Sequence, residues 1–261
     1  MMRLFKRGFT FVLGAQRDSK SRRIRVMPEP NYLNRHLGRD FLILGAGPTL
    51  KTHINAIKIF AEKRNLVSIG TNNTYELFYS DYVGFTNRYR FSQFGLGVKT
   101  GARSALLSIH FSDDAIARFC TAPHDLVSWK QTSEPRDCSI NSRGVIAHYG
   151  SVGSLMILVA YVMGANNIFI AGMDGAPPEG KLTSESLHFR DIPYKVHLSE
   201  AQQAEKYGYW LKGVLPITYA AIQNWARETG RREFISLTPT NYGEYFDPEF
   251  LDLSSDALLE C

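Results

Sequence analysis

Short continuous apolar runs alternate along this chain with stretches whose apolar residues recur at helical spacing. Phe41-Leu42-Ile43-Leu44 is the first run, and the turn Gly45-Ala46-Gly47-Pro48-Thr49 follows it. From Leu50 to Arg64 the apolar Ile54, Ile57, Ile59, Phe60 and Ala61 repeat every three to four positions, so a strand, a Gly-rich loop and a helix are predicted in that order. Two more strands are predicted, Leu66 to Ile69 and Tyr82 to Phe85, with a weaker one from Ala105 to Ile109. The segment from Asp125 to Arg143, with Pro135 and many polar residues, reads as irregular. Gly150-Ser151-Val152-Gly153-Ser154 then opens an apolar helix, Leu155 to Met163, that Gly164 stops, and a strand from Asn167 to Ala171 ends at Gly172-Met173-Asp174. A last helix, Leu215 to Thr229, precedes a strand from Phe234 to Leu237.

Strands alternating with helices predict an α/β, Rossmann-like fold with a mostly parallel sheet and helices on both faces. Residues 1–39, with the basic stretch Arg17 to Arg25 and Pro28-Glu29-Pro30, read as an arm or appendage, and residues 40–261 as the domain. Between about 175 and 210 the chain is polar, and only Glu200 to Lys206 looks helical; a lid before the last helix is expected there.

Composition narrows the class. A chain of 261 residues with 44% hydrophobic and 21% charged residues is an ordinary globular one, with no apolar run long enough to span a bilayer. Three cysteines without CxxC spacing suggest neither a disulfide framework nor a zinc site, and a reduced, cytoplasmic protein is expected. The apolar stretch Phe9 to Leu13 is too short for a secretory signal. The net charge of +5 is uneven: residues 1–40 hold ten Lys/Arg against three Asp/Glu, and the remainder 20 against 22. A nearly neutral body argues against nucleic acid as a partner, while a basic arm suits anionic lipid headgroups at the inner membrane face, an acidic partner, or simple solvation.

Ligands of open parallel sheets bind outside the carboxyl ends of the strands, and small and polar residues gather at those ends here. The loop Gly45, Ala46, Gly47, Pro48 and Thr49 offers backbone N–H groups at a helix start, suited to a phosphate; it serves equally as a tight strand-helix turn. It lacks the third glycine of a dinucleotide fingerprint and the Gly-Lys-Ser/Thr of a P-loop, so neither NAD nor a Walker-type ATP site is supported. Gly153 and Ser154 belong to a second such turn, whose alternative is close helix packing. Asn72 and Asn87, at strand ends, can pair with a base or sugar edge or simply form turns. Asp174 is placed to bind a nucleotide's magnesium, orient a hydroxyl, or cap a helix. His188 and His197 are candidate general bases in the lid, and Tyr194 and Tyr207 candidate donors to a leaving phosphate, with packing the alternative for the tyrosines.

Taken together, the segments Ile43 to Lys51, Ile69 to Asn73, Gly150 to Gly164 and Ile168 to Asp174 resemble the MptE-like family, once called the domain of unknown function 115. More distantly they resemble the Campylobacter-type bacterial sialyltransferases. The likeness spans residues 41 to about 176, with weaker support to Thr240. In the sialyltransferases the cytidine monophosphate of the donor sits over a loop matching Gly45, Gly47, Pro48 and Thr49. It is held there by residues matching Asn72, Asn87, Gly153 and Ser154. No histidine stands near Gly213, where a count back from Thr238-Pro239 would put that family's base; His188 matches the MptE-like histidine after the Gly-x-Asp strand.

The resemblance implies a nucleotide-binding transferase, in first place a sialyltransferase-like glycosyltransferase of polysaccharide biosynthesis. It would move an acidic sugar from a CMP-type donor to a cell-surface glycan, with no cofactor required. One alternative is an MptE-like diphosphokinase using magnesium-ATP, with Asp174 as metal ligand. The other is a non-catalytic accessory protein of glycan assembly.

Overall fold

The computed structural model describes residues 30–142, 144–148, 150–175, 202 and 208–242. Seven strands form one all-parallel sheet in the order β10-β9-β1-β2-β3-β4-β5. These are β1 (Phe41–Leu44), β2 (Val67–Thr71), β3 (Ser80–Phe85), β4 (Ala102–Ser108), β5 (His124–Val127), β9 (Ile168–Ala171) and β10 (Phe234–Ser236). The fold is α/β and Rossmann-like, as the alternation of patterns predicts.

All four residues of β1 are buried because the sheet is covered on both faces. Leu42 and Leu44 pack with Leu50, Ile57 and Phe60 of α1 (Pro48–Lys63). Further along that face, Val83, Phe85, Ala105 and Leu107 pack with Phe91 and Phe94 of α2 (Arg88–Phe94) and, past the four-residue α3 (Val98–Gly101), with Ile116 of α4 (Asp113–Phe119). Phe41 and Ile43 face the other way, onto α5 (Val152–Val162) and α6 (Leu215–Glu228). Every residue of α5 from Gly153 to Val162 is buried, so this helix is apolar all round and has no solvent stripe.

Two expectations are corrected. The stretch read as irregular, Asp125 to Arg143, instead contributes most of β5 and two strands, β6 (Trp129–Lys130) and β7 (Cys138–Asn141), which form a small second sheet, order β6-β8-β7, with β8 (Gly144–Ala147) just beyond it. Within that stretch β6 has two residues and β7 alternates between half-buried and exposed, so neither carries an apolar run to detect. The arm also ends earlier than residue 39. Tyr32 is fully buried, its hydroxyl accepts from Ser128 N (3.3 Å), and Asn34 N and His36 N donate to the last carbonyls of α5, Val162 O (2.9 Å) and Met163 O (3.0 Å). Arg35 clamps Asp125 through both guanidinium nitrogens at 2.5 and 3.0 Å. The last ten residues of the supposed appendage are therefore part of the domain. Among the described residues no helix is long and apolar enough to cross a membrane. Most of the expected lid, with all of its helix at 200–206 except residue 202, lies outside the described residues.

Candidate functional site

The strand order reverses beside β1: β2 lies on one side and β9, reached only after the rest of the chain has turned back, on the other. The crevice at such a switch point is where parallel sheets bind ligands. Its two walls are the loops after β1 and β9, and these touch. A Cβ on Gly45 would lie 2.4 Å from Gly172 O, and one on Gly47 2.6 Å from Asp174 Cγ. The glycines of the first loop thus let two strand ends meet; close approach to a ligand is not needed to explain them.

Backbone bonds seal the contact. Gly45 N donates to Ala171 O and Gly47 N to Gly172 O, both at 2.8 Å, while Leu50 N turns back to Gly47 O at 3.2 Å. Asp174 then crosses to the start of α1, its Oδ2 accepting from Thr49 N (2.8 Å) and its Oδ1 from the Thr49 hydroxyl. Pro48 has no N–H to offer. The anion-favouring end of α1 therefore already holds a carboxylate, and Ala46 N is the one loop amide with no bond to a described residue. Burial pushes the Asp174 carboxyl above its ordinary range, and the two Thr49 bonds oppose that.

Both Asp174 oxygens accept from Thr49, and no group of three or more His, Cys, Asp or Glu able to hold a metal ion occurs among the described residues.

The second Gly/Ser turn is a helix cap. Ser151 Oγ accepts from Ser154 N (3.1 Å) and Ser154 Oγ from Ser151 N (3.2 Å), a reciprocal capping box of the kind that stabilises a helix start by about 1 kcal/mol. Ser154 is fully buried, and a Cβ on Gly153 would sit 2.9 Å from Met173 Cε, so both residues pack inside the site's floor. Asn87 caps α2, its Oδ1 accepting from Tyr89 N (2.8 Å) and Arg90 N (3.2 Å); its amide NH2 remains for another partner. Asn72 takes up φ 53°, with N donating to Gly84 O at 3.2 Å, and its side chain makes no hydrogen bond to a described residue. His188, His197, Tyr194 and Tyr207 lie outside the described residues.

Two further polar residues stand near these, Asn73, which the sequence places at the end of its strand without a role, and His148, which it does not single out. Asn73 is fully buried, with Nδ2 donating to Glu76 Oε2 (3.2 Å) and Oδ1 without a partner among the described residues. His148, just after β8, is 8% exposed, and its Nδ1 likewise has no partner there. Its place two residues before Gly150 was the one available signal. No protein-family model matches this chain, and no curated protein gives a significant match to it.

Proposed function

We propose that this chain is a nucleotide-dependent transferase that moves an acidic sugar from a CMP-type donor to a hydroxyl of a cell-surface glycan. One observation carries the proposal: every segment that resembles the sialyltransferase and MptE-like patterns comes to the same carboxyl edge. The Gly45–Thr49 loop and Gly172-Met173-Asp174 flank the switch point, Asn72 and Asn87 follow the next two strands, and the Gly150–Ser154 turn opens the helix beneath.

On this proposal Ala46 N, the Asn72 amide and the free NH2 of Asn87 are the donors that meet the nucleotide. Asp174 and Thr49 hold the two walls together, so they shape the crevice rather than touch the sugar. The basic residues of the chain's first forty positions would keep the enzyme near anionic lipid, where a lipid-linked acceptor is presented.

Titration calorimetry tests the proposal. CMP is expected to bind at one site per chain, equally well with magnesium and with EDTA, and Asn72→Ala is expected to weaken it about tenfold, the loss of one or two hydrogen bonds. Binding of magnesium-ATP alone would contradict the proposal in favour of diphosphate transfer, and binding of neither nucleotide would favour an accessory protein.

A further inference from the structure

The chain leads into β1 through residues 31–38, a run of turns whose amides close the end of α5. Asn34 N, His36 N and Gly38 N donate in turn to Val162 O (2.9 Å), Met163 O (3.0 Å) and Gly164 O (2.8 Å). Side chains fasten the same run at two more places. Arg35 clamps Asp125 of β5, and the Tyr82 hydroxyl of β3 also favours the guanidinium charge. The His36 ring makes edge contacts with Phe41 and Tyr82, centroids 5.9 and 5.7 Å away, and its Nε2 lies 2.8 Å from the Tyr82 hydroxyl.

That hydroxyl can serve both neighbours in only one way. A guanidinium has protons and no lone pair to offer, so the Tyr82 oxygen turns its lone pairs to Arg35 and gives its own proton to His36 Nε2. The neutral ring then carries its proton on Nδ1. A second proton would go to Nε2, where it meets the Tyr82 O–H donor to donor. The charge it brings faces Arg35 and Arg39 of the same run, and burial disfavours it further. Asp81 of β3 is the carboxylate that opposes this, but it already accepts from Ser68 N (2.9 Å) and Ser68 Oγ (3.0 Å) and pairs with Arg103. The carbonyl end of α5 also favours a cation, while Asp125 is taken up by Arg35. The balance falls against the charged ring, whose pKa lies below its ordinary 6.5.

We propose that His36 is a proton-sensitive latch: when its ring takes up a proton it releases Tyr82, and the run 31–38 comes away from the end of α5. The latch lies by the start of β1, at the other end of the sheet from the crevice, and works whatever the crevice binds. In the step a proton passes from solvent to His36 Nε2, the hydrogen bond from Tyr82 is lost, and no other covalent bond forms or breaks. The ring of an open run ionises near 6.5, and the latched ring holds fewer protons than that. Between 6.5 and the native pKa the latch therefore weakens as pH falls, its opening equilibrium growing by up to about tenfold per pH unit. An opened run adds roughly 25 Å of reach to the residues before it. Residues 1–29 hold eight Lys/Arg against two Asp/Glu, so the latch couples proton concentration to the reach of the chain's most basic stretch.

The test is hydrogen–deuterium exchange of the full chain from about pH 5 to 8, the range of histidine titration, corrected for the intrinsic pH dependence of amide exchange. In the wild type, exchange of residues 31–38 is expected to speed up as pH falls below 6.5 and to level off below the native pKa. Residues 41–44 and 168–171 should keep their protection throughout. His36→Gln retains a side chain that hydrogen-bonds Tyr82 and takes up no proton, so its run 31–38 should show no such step. A wild type without the step overturns the proposal. An equal step in His36→Gln also overturns it, because the release would then belong to a carboxylate such as Asp81. If His36→Gln does not fold, the wild-type ring decides by NMR: it must titrate below 6.5 and in step with the exchange, and titration at or above 6.5 overturns the latch.

Discussion

Gly45→Ala is expected to destabilise the protein by about 3 kcal/mol or more, near the upper end of what overpacking costs, and to lower its melting temperature by on the order of 10 °C. The added methyl would lie 2.4 Å from Gly172 O and 2.8 Å from Met173 Cγ. The first of these is backbone at the end of β9, fixed by the pairing of Leu44 with Ala171 and by Gly45 N donating to Ala171 O, so it cannot swing aside as a side chain would. Relief requires β1 and β9 to separate at the switch point. Gly213→Ala is the matched control: nothing lies within 4 Å of its Cβ, and its stability should stay within about 0.5 kcal/mol of wild type. Thermal unfolding followed by circular dichroism reads both. Equal melting temperatures would mean that the two loops are not in contact.

Asp174 gives the second large effect, and it distinguishes hydrogen bonding from charge. Asp174→Ala leaves the Thr49 N–H and hydroxyl without their acceptor and empties the space against Gly47, a loss of about 2–3 kcal/mol. Asp174→Asn keeps the shape and one acceptor oxygen without a charge to bury, so it should remain within about 1 kcal/mol of wild type. The two proteins should also differ in pH dependence. The native Asp174 carboxyl holds its proton above the ordinary value of 3.8, because burial disfavours the anion. From 3.8 up to the native pKa the folded state therefore binds more protons than the unfolded one, and stability falls as pH rises through that window. Measured by urea unfolding, wild type should lose stability relative to Asp174→Asn as pH climbs from 3.8, and lose no more beyond the native pKa. A difference that grows in the wild type's favour would mean that Thr49 stabilises the anion more than burial penalises it.

The parts of the fold that were legible are those whose signal is local. Phe41 to Leu44 followed by Gly-Ala-Gly-Pro announces a buried strand and a helix start, and Ile168 to Ala171 before Gly172 does the same. By contrast, α2 has seven residues, about two turns and too short a window to establish a helical repeat, and its cap Asn87 carries one side chain with two readings. The second sheet puts Val145 and Ala147 of β8 into the core, but β6 and β7, with Trp129, Cys138 and Ile140 only partly buried, are too short to show a pattern. Residues 30–39 look like a tail because what anchors Tyr32 and Arg35 lies far along the chain, at Ser128 and Asp125. The site divides the same way. Its loops were found in sequence, but the Thr49–Asp174 latch joins positions 125 residues apart. The stacking of His148 on Trp210 depends on how the chain folds back over α5. Glycines that looked suited to a phosphate turn out to be required by a neighbouring strand end, a distinction that spacing does not encode.

On the proposed function a nucleotide occupies the crevice at the switch point between β1 and β9, and hydrogen–deuterium exchange of the full chain with and without CMP reads its footprint. Slower exchange on CMP addition is expected in residues 45–49, 71–74, 86–90 and 172–174, with no change at the opposite edge around Asp40 and Asn65. Unchanged exchange throughout, or protection confined to that opposite edge, would contradict it.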